Sequence, residues 1–135
     1  MKKTFLSFLF ALPMTINAQV SDTSGIEWIK TTHDFNNIPY NVPATYTFKF
    51  VNRSKKVVSI TSVEASCGCT QPTWSQNPIQ PNDTAFVSAT YRANSEGVFN
   101  KQVTVYVSTS SYPTFLKLQG TVIPQEHKDN DGHKH

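Results

Sequence analysis

Two cysteines separated by a single glycine, Cys67 and Cys69, are the residues of this chain whose types and spacing most suggest chemistry. They are its only cysteines and lie in the segment "EASCGCTQPTW", residues 64–74. As thiolates, the pair would bind a soft metal ion such as Cu(I) or Zn²⁺. As a disulfide it would exchange with other thiols, and as small side chains it would fill space at the end of a fold. The spacing alone leaves all three roles open.

Each role of the cysteine pair meets a physical constraint. A stable zinc site normally needs four ligands, and one C-x-C motif supplies two. A C-x-C disulfide closes a very small ring, which Gly68 makes accessible, and such a bond should be easily reduced. Its chain-entropy stabilisation is only ~1.6 kcal/mol, so a stabilising clamp explains the pair poorly. No C-x-x-C motif or βαβ pattern supports redox catalysis. We therefore favour a structural role beside Trp74, with or without a local disulfide.

The C-terminal segment is the second candidate for chemistry because it concentrates histidine and aspartate. Histidine with carboxylate suits Zn²⁺, Cu(II) or Ni(II). If these side chains bound a metal ion together with Cys67 and Cys69, the function of the protein would be metal handling. The alternative is a solvated tail, since residues 125–135 contain no apolar side chain and are predicted to be disordered. The candidate ligands in this segment are His127, Asp129, Asp131, His133 and His135.

The elements that must position the cysteines are predicted to be β-strands. Apolar residues alternate with polar ones along five segments, and no long stretch has helical periodicity. About seven short strands joined by turn-rich segments predict an immunoglobulin-like antiparallel β-sandwich over residues 19–124. A weaker opening strand is predicted in residues 25–35, and a bulge or strand end near Val63. The alternating segments are "TYTFKFV", "VVSITSV", "TAFVSATY", "FNKQVTVYV" and "FLKLQGTVI".

The N-terminus has the layout of a secretory signal peptide over residues 1–18, with a basic "MKK", a short apolar run and Ala18 before the cut. The run is shorter than the ~20 residues of a membrane-spanning helix, so the mature protein is predicted to be extracytoplasmic without a membrane span. The formal charge of +3 owes two units to Lys2 and Lys3. Because no basic stripe remains, nucleic acid is a poor candidate for a partner.

The sequence offers no arrangement for acid–base or nucleophilic catalysis. It has no G-x-S-x-G elbow and no glycine-rich phosphate loop, and its carboxylates have no spacing that pairs them. We therefore expect a protein that is not an enzyme and has neither catalytic residues nor a resident cofactor. The exception is the metal-handling alternative, in which the protein would bind copper or zinc.

Five segments resemble the bacterial domain of unknown function 1573. They are F-x-F-x-N at residues 48–52, V-x-x-S-C-G-C-T at 63–70, P-I-x-P at 78–81, G-x-F-x-K at 97–101 and L-x-G-x-V at 118–122. The similarity covers about residues 33–123, and a usual glycine is replaced by Asn82. The resemblance implies an exported immunoglobulin-like sandwich akin to major-sperm-protein and pilus-chaperone domains. It implies no established activity and leaves the role of the cysteines open.

These observations favour a non-enzymatic binding or scaffold module with an unknown protein or cell-envelope partner. Sandwiches of this kind bind through loops at one end or by adding a strand to an open edge. The expected contact surface is the cysteine loop, with Gly68, Thr70 and Trp74. Copper or zinc handling is the first alternative function, and thiol–disulfide exchange at the C-G-C motif is the second. The partner and the oligomeric state are left open by the sequence.

Overall fold

The computed structural model describes residues 24–125, which form β-strands and connecting loops without a helix. In this part of the chain no helix is long and apolar enough to cross a membrane. The predicted signal peptide, and the predicted tail beyond Gln125 with all of its histidines and aspartates, lie outside the described residues.

Eight strands lie in the described part of the chain, against about seven predicted from the sequence. The predicted opening strand is divided in two, and residues 70–74 form a strand in the middle of the chain. In chain order the strands are β1 (Ile26–Trp28), β2 (Thr32–Pro39), β3 (Ala44–Asn52), β4 (Ile60–Ala65), β5 (Thr70–Trp74), β6 (Thr84–Tyr91), β7 (Gly97–Val107) and β8 (Thr114–Ile123).

The strands form two four-stranded sheets that pack as a sandwich. One sheet, called sheet A, has the order β1-β3-β6-β5, and the other, sheet B, has the order β2-β8-β7-β4. Strand pairs are antiparallel, as expected, except that β2 runs parallel to β8. This is the arrangement of an immunoglobulin constant-type domain whose opening strand is divided between the two sheets. The predicted fold class is therefore confirmed.

The alternation seen in the sequence matches the two faces of the long strands. In β3, Phe48 and Phe50 are fully buried, while Thr47 and Lys49 face outward. The same alternation holds in β6, β7 and β8, and Lys101 breaks it in β7 as the sequence indicates. The inner faces form a main core cluster, whose buried members include Phe48, Phe50, Val58, Val87, Val103, Val105, Leu116 and Leu118.

Two strands differ from the sequence prediction. The weak opening strand is two strands, because the chain pairs with β3 over Ile26–Trp28 and then crosses to pair with β8. Residues 70–74, predicted to belong to a loop, form β5 at the edge of sheet A. The predicted irregularity near Val63 is present as a shift of register between Ile60 and Ser62.

The end of the sandwich opposite to the cysteines, called the far end, is organised by Asn52, the last residue of β3. Its side chain is fully buried, and its amide nitrogen donates to the carbonyls of Lys56 (2.8 Å) and Ile79 (3.0 Å). Its side-chain oxygen accepts from the backbone N–H (3.0 Å) and hydroxyl (2.7 Å) of Ser54. Its backbone N–H donates to the carbonyl of Asp83 at 2.9 Å. One side chain thus joins the β3–β4 loop to the β5–β6 connection.

Replacing Asn52 with alanine is expected to destabilise the protein by about 2–4 kcal/mol, because a fully buried side chain and its four hydrogen bonds are lost at once. Asn100→Ala is the matched control, since Asn100 is exposed on the outer face of β7. Urea unfolding of both variants measures the difference. A loss below about 1 kcal/mol for Asn52→Ala would contradict its role at the far end.

Candidate functional site

Cys67 and Cys69 form a disulfide, with an S–S distance of 2.00 Å and a Cα–Cα distance of 5.3 Å. The bond lies in the short connection between β4 and β5, which are edge strands of different sheets. The chain therefore changes sheets at this disulfide. In the oxidised state neither sulfur is a thiolate, so metal binding by the pair would first require its reduction.

The residues on either side of the motif are tied to both sheets. Ser66 donates its backbone N–H to the carbonyl of Gln102 in β7 at 2.8 Å, and its hydroxyl accepts the N–H of Gln102 at 3.0 Å. On the other side, Arg92 donates its backbone N–H to the carbonyl of Cys69 at 3.0 Å. Backbone hydrogen bonds therefore hold the ends of the connection without help from the disulfide.

The two sulfurs have different surroundings. Cys69 is half-buried and packs against a second cluster of buried residues, called the end cluster. The Sγ atom of Cys67, also half-buried, lies 3.8 Å from the hydroxyl oxygen of Thr70. Thr70 is only 3% exposed and donates its backbone N–H to the carbonyl of Cys67 at 3.2 Å. The buried members of the end cluster are Ile38, Tyr91, Ala93, Phe99 and Val122.

Gly68 is the exposed residue between the two cysteines, and we call residues 67–69 the tip. The backbone φ of Gly68 lies outside the left-handed region, and a Cβ atom built on it would meet no atom within 4 Å from any residue other than Cys67 and Cys69. Neither the backbone nor the packing therefore demands glycine in this bent conformation. By contrast, a Cβ at Gly120 would lie 2.8 Å from the carbonyl oxygen of Asn36. The effect of glycine at position 68 is to leave the tip bare.

The structure separates Trp74 from the rest of the expected contact surface. Trp74 is four residues beyond Thr70 in β5, or about 13 Å at ~3.3 Å per residue. It is half-buried against the main core cluster and lines a separate cleft of about 420 Å³ with Phe86 and Asp83. Of the three residues expected at one surface, Gly68 is at the tip, Thr70 lies beneath it and Trp74 belongs to another cleft.

The hydrogen-bonding pattern of β5 shows which backbone groups face its free edge. Arg92 bonds the carbonyl of Cys69, and Ser75 donates its N–H to the carbonyl of Phe86 at 3.1 Å. Because hydrogen-bonded and non-hydrogen-bonded pairs alternate in an antiparallel ladder, every second residue between them points its backbone groups outward. These outward residues are Thr70, Pro72 and Trp74.

That outer edge of β5 is poorly suited to pairing with another strand. The N–H of Thr70 is taken by the carbonyl of Cys67, and Pro72 has no N–H to offer. The carbonyl of Trp74 accepts the side-chain amide of Gln76 at 3.1 Å. Proteins commonly protect sheet edges with such devices. The edge next to the cysteines is therefore closed to strand addition over most of its length.

The expected metal ligands are not brought together in the part of the chain that the structure describes. Among residues 24–125, no three histidine, cysteine, aspartate or glutamate side chains gather as a group that could hold an ion. His127, Asp129, Asp131, His133 and His135 lie outside the described residues, so their relation to the tip stays a prediction.

His33 in β2 has an environment that its sequence position does not reveal. Its ring stacks on Tyr46 (centroids 3.7 Å apart) and meets the edge of Phe35 (4.5 Å). Its Nδ1 atom is buried and has no hydrogen-bond partner. Burial and then the charge of Lys30 lower the pKa of His33 from its ordinary value of 6.5, while Asp34 opposes the shift. The imidazole is thus an aromatic packing element, and only the alternation of His33 with Phe35 hints at this in the sequence.

Removing the Lys30 charge with Lys30→Met is expected to raise the pKa of His33, and Asp34→Asn to lower it further. Because the unfolded chain binds the proton more readily, the contribution of His33 to stability is present above pH 6.5 and is lost as pH falls through its folded pKa. An NMR titration of the His33 ring, with Lys55→Met as the control, measures both shifts. A His33 pKa at or above 6.5 would contradict the assignment.

The strand order and the split opening strand define an immunoglobulin-like domain of the PapD/ASH type. The ASH / PapD-like domain of human CEP192 (PapD-like domain 7) is similar in fold, with a TM-score of 0.65 at 11% identity. The match covers 93% of this chain and 99% of that domain. A protein of unknown function from Porphyromonas gingivalis W83 has a TM-score of 0.63 at 10% identity, and the match covers 72% of this chain and 46% of that protein.

The chain belongs to a family of proteins of unknown function, DUF1573, whose model matches residues 26–122. The resemblance seen in the sequence is therefore confirmed. The Vibrio cholerae VesB protease also shares the fold, with a TM-score of 0.59 at 9% identity over 74% of this chain and 32% of that one. At such identities the likeness concerns the fold alone. No curated protein sequence matches the chain.

Proposed function

We propose that this protein is an exported, non-enzymatic binding or scaffold module that contacts a protein or cell-envelope partner through the tip, residues 67–69. The observation that supports this most is the placement of the disulfide. The bond closes a ring of only three residues within the connection between two edge strands. The residue between the cysteines is exposed, and the ring lies outside the main core cluster.

The disulfide is better explained by the shape of the tip than by the stability of the fold. Closing a three-residue loop contributes only ~1.6 kcal/mol of chain entropy. Backbone hydrogen bonds already hold the two ends of the connection, one between Ser66 and Gln102 and one between Cys69 and Arg92. What the bond adds is a tip with fewer conformations, and binding to a preorganised surface costs less conformational entropy.

Exposed apolar side chains at the same end of the sandwich offer further contact area. Val42 is 41% exposed and Ile123 is 40% exposed. Both belong to this end, because Asn41 donates its N–H to the carbonyl of Ala93 and Tyr40 donates to that of Ile123. The buried core of a protein interface is more apolar than the rest of the protein surface, so these side chains suit a contact area.

The β4 edge is the competing contact surface, since it carries no proline or lysine. Ser66 is hydrogen-bonded to Gln102, so the neighbouring Ala65 points its backbone groups to the outer edge of β4. Strand addition there would need the N–H of Ala65, which proline removes without breaking the ladder to β7. The variant Ala65→Pro therefore separates edge binding from tip binding.

The mature protein, used as bait in an envelope extract of its source organism, is expected to retain its partner in Gly68→Ala and to lose it in Gly68→Arg. The larger side chain fits the rest of the fold, because no residue other than Cys67 and Cys69 has an atom within 4 Å of the added Cβ, and it adds a long charged group to the tip. Trp74→Ala is the control at the separate cleft and should retain binding. Quantitative crosslinking and mass spectrometry measure the captured partner.

Capture that survives Gly68→Arg but fails in Ala65→Pro would overturn the tip assignment in favour of the β4 edge. Capture that fails only in Trp74→Ala would transfer the contact surface to the cleft around Trp74. Circular dichroism of each variant excludes loss of fold as the cause.

A further inference from the structure

We propose that the Cys67–Cys69 bond is also a thiol–disulfide exchange site, which accepts two electrons from the dithiol of a partner protein. This goes beyond binding, because the partner would leave oxidised and the tip reduced. Three features of the described structure support this: the exposed glycine between the cysteines, the hydroxyl of Thr70 beside Cys67, and the independence of the fold from the bond.

Gly68, the residue between the two half-buried cysteines, is exposed. Apart from Cys67 and Cys69 themselves, no residue has an atom within 4 Å of the position that a Cβ would occupy there, and φ lies outside the region that favours glycine. A larger side chain at this position would therefore fit the rest of the fold and add bulk beside the two cysteines. Glycine keeps this position small, and a second protein needs more room there than a small thiol.

The surroundings of the sulfurs suit a thiolate. The hydroxyl of Thr70 lies 3.8 Å from Cys67 Sγ and is placed to donate to a negative charge on it. A hydrogen-bond donor beside a thiolate favours its charged form, and a better leaving thiolate makes exchange faster.

The exchange proceeds in two balanced steps. A thiolate of the partner attacks one sulfur of the pair, a mixed disulfide forms, and the Cys67–Cys69 bond breaks with its electron pair on the other sulfur. The second thiol of the partner, after losing its proton, then attacks the mixed disulfide and releases the remaining sulfur of the tip. Two electrons and two protons pass to Cys67 and Cys69, and the partner dithiol becomes a disulfide.

The reduced tip keeps its place because other contacts hold the chain. Ser66 and Cys69 remain bonded to β7 and to Arg92 through the backbone, and Thr70 stays buried beneath the tip. The sulfurs of the reduced pair therefore stay close together, and the bond can form again. A structural disulfide, by contrast, resists reduction by cellular thiols.

Reduction of the oxidised protein by dithiothreitol and by purified reduced thioredoxin tests the proposal, with alkylation and mass spectrometry of quenched samples as the readout. Both reagents should reduce the wild type. In Gly68→Leu the thioredoxin reaction is expected to be about tenfold slower and the dithiothreitol reaction to change less than about twofold. Lys55→Leu, in the exposed loop after β3 at the far end, is the matched control and should behave as the wild type. Thr70→Val should slow both reactions, because the donor to Cys67 is lost.

The proposal is overturned if thioredoxin does not reduce the wild type, or if Gly68→Leu slows both reagents equally. It is also overturned if Thr70→Val has no effect on either rate while remaining folded by circular dichroism. Because the probes are purified thiols, these outcomes are independent of whether any partner is captured at the tip in the binding experiment.

Discussion

The buried amide of Asn52 is the interaction on which the far end of this sandwich depends. The last residue of β3 lies between two loops, and its buried side chain hydrogen-bonds Lys56 and Ser54 in one and Ile79 in the other. The bridge between Val58 and Ile79 lies beside it, so the β3–β4 loop and the β5–β6 connection are fixed together. A buried polar group with all its partners specifies one arrangement, because any other would leave the buried group itself unsatisfied.

With the far end fixed in this way and the two sheets packed over the main core cluster, the cysteine end is not needed to hold the sheets together. The disulfide joins residues only two positions apart, so it ties no strand to another. A bond that does little for stability and encloses an exposed glycine has its physical consequence at the surface. This is why binding and thiol exchange are both assigned to the same three residues.

Much of the fold could be predicted from alternation, because strands such as β3 and β6 bury one face and expose the other. The strand β5 could not, since it is short, follows the cysteine motif and contains Pro72, which local patterns assign to a loop. Proline is accommodated there because its backbone nitrogen faces the free edge of the sheet and is not needed for pairing. Which residues face that edge depends on how β5 pairs with β6. The role of Asn52 was equally hidden, because an asparagine after an apolar strand predicts a turn and not a buried hydrogen-bond centre.

The residues of the proposed tip could be singled out from the sequence, but their geometry could not. Cys67, Gly68 and Cys69 stood out by spacing, whereas the choice between disulfide and free thiols depends on a bend that no sequence pattern specifies. Trp74 looked like a neighbour because it is close in the chain, but the extended conformation of β5 places it about four residues' length away from the tip.

Urea unfolding of the oxidised and the reduced protein tests most directly whether the disulfide shapes the surface without contributing much to the stability of the fold. The account predicts that both forms fold and differ by no more than about 2 kcal/mol. A reduced protein that is unfolded, or less stable by more than about 3 kcal/mol, would contradict it.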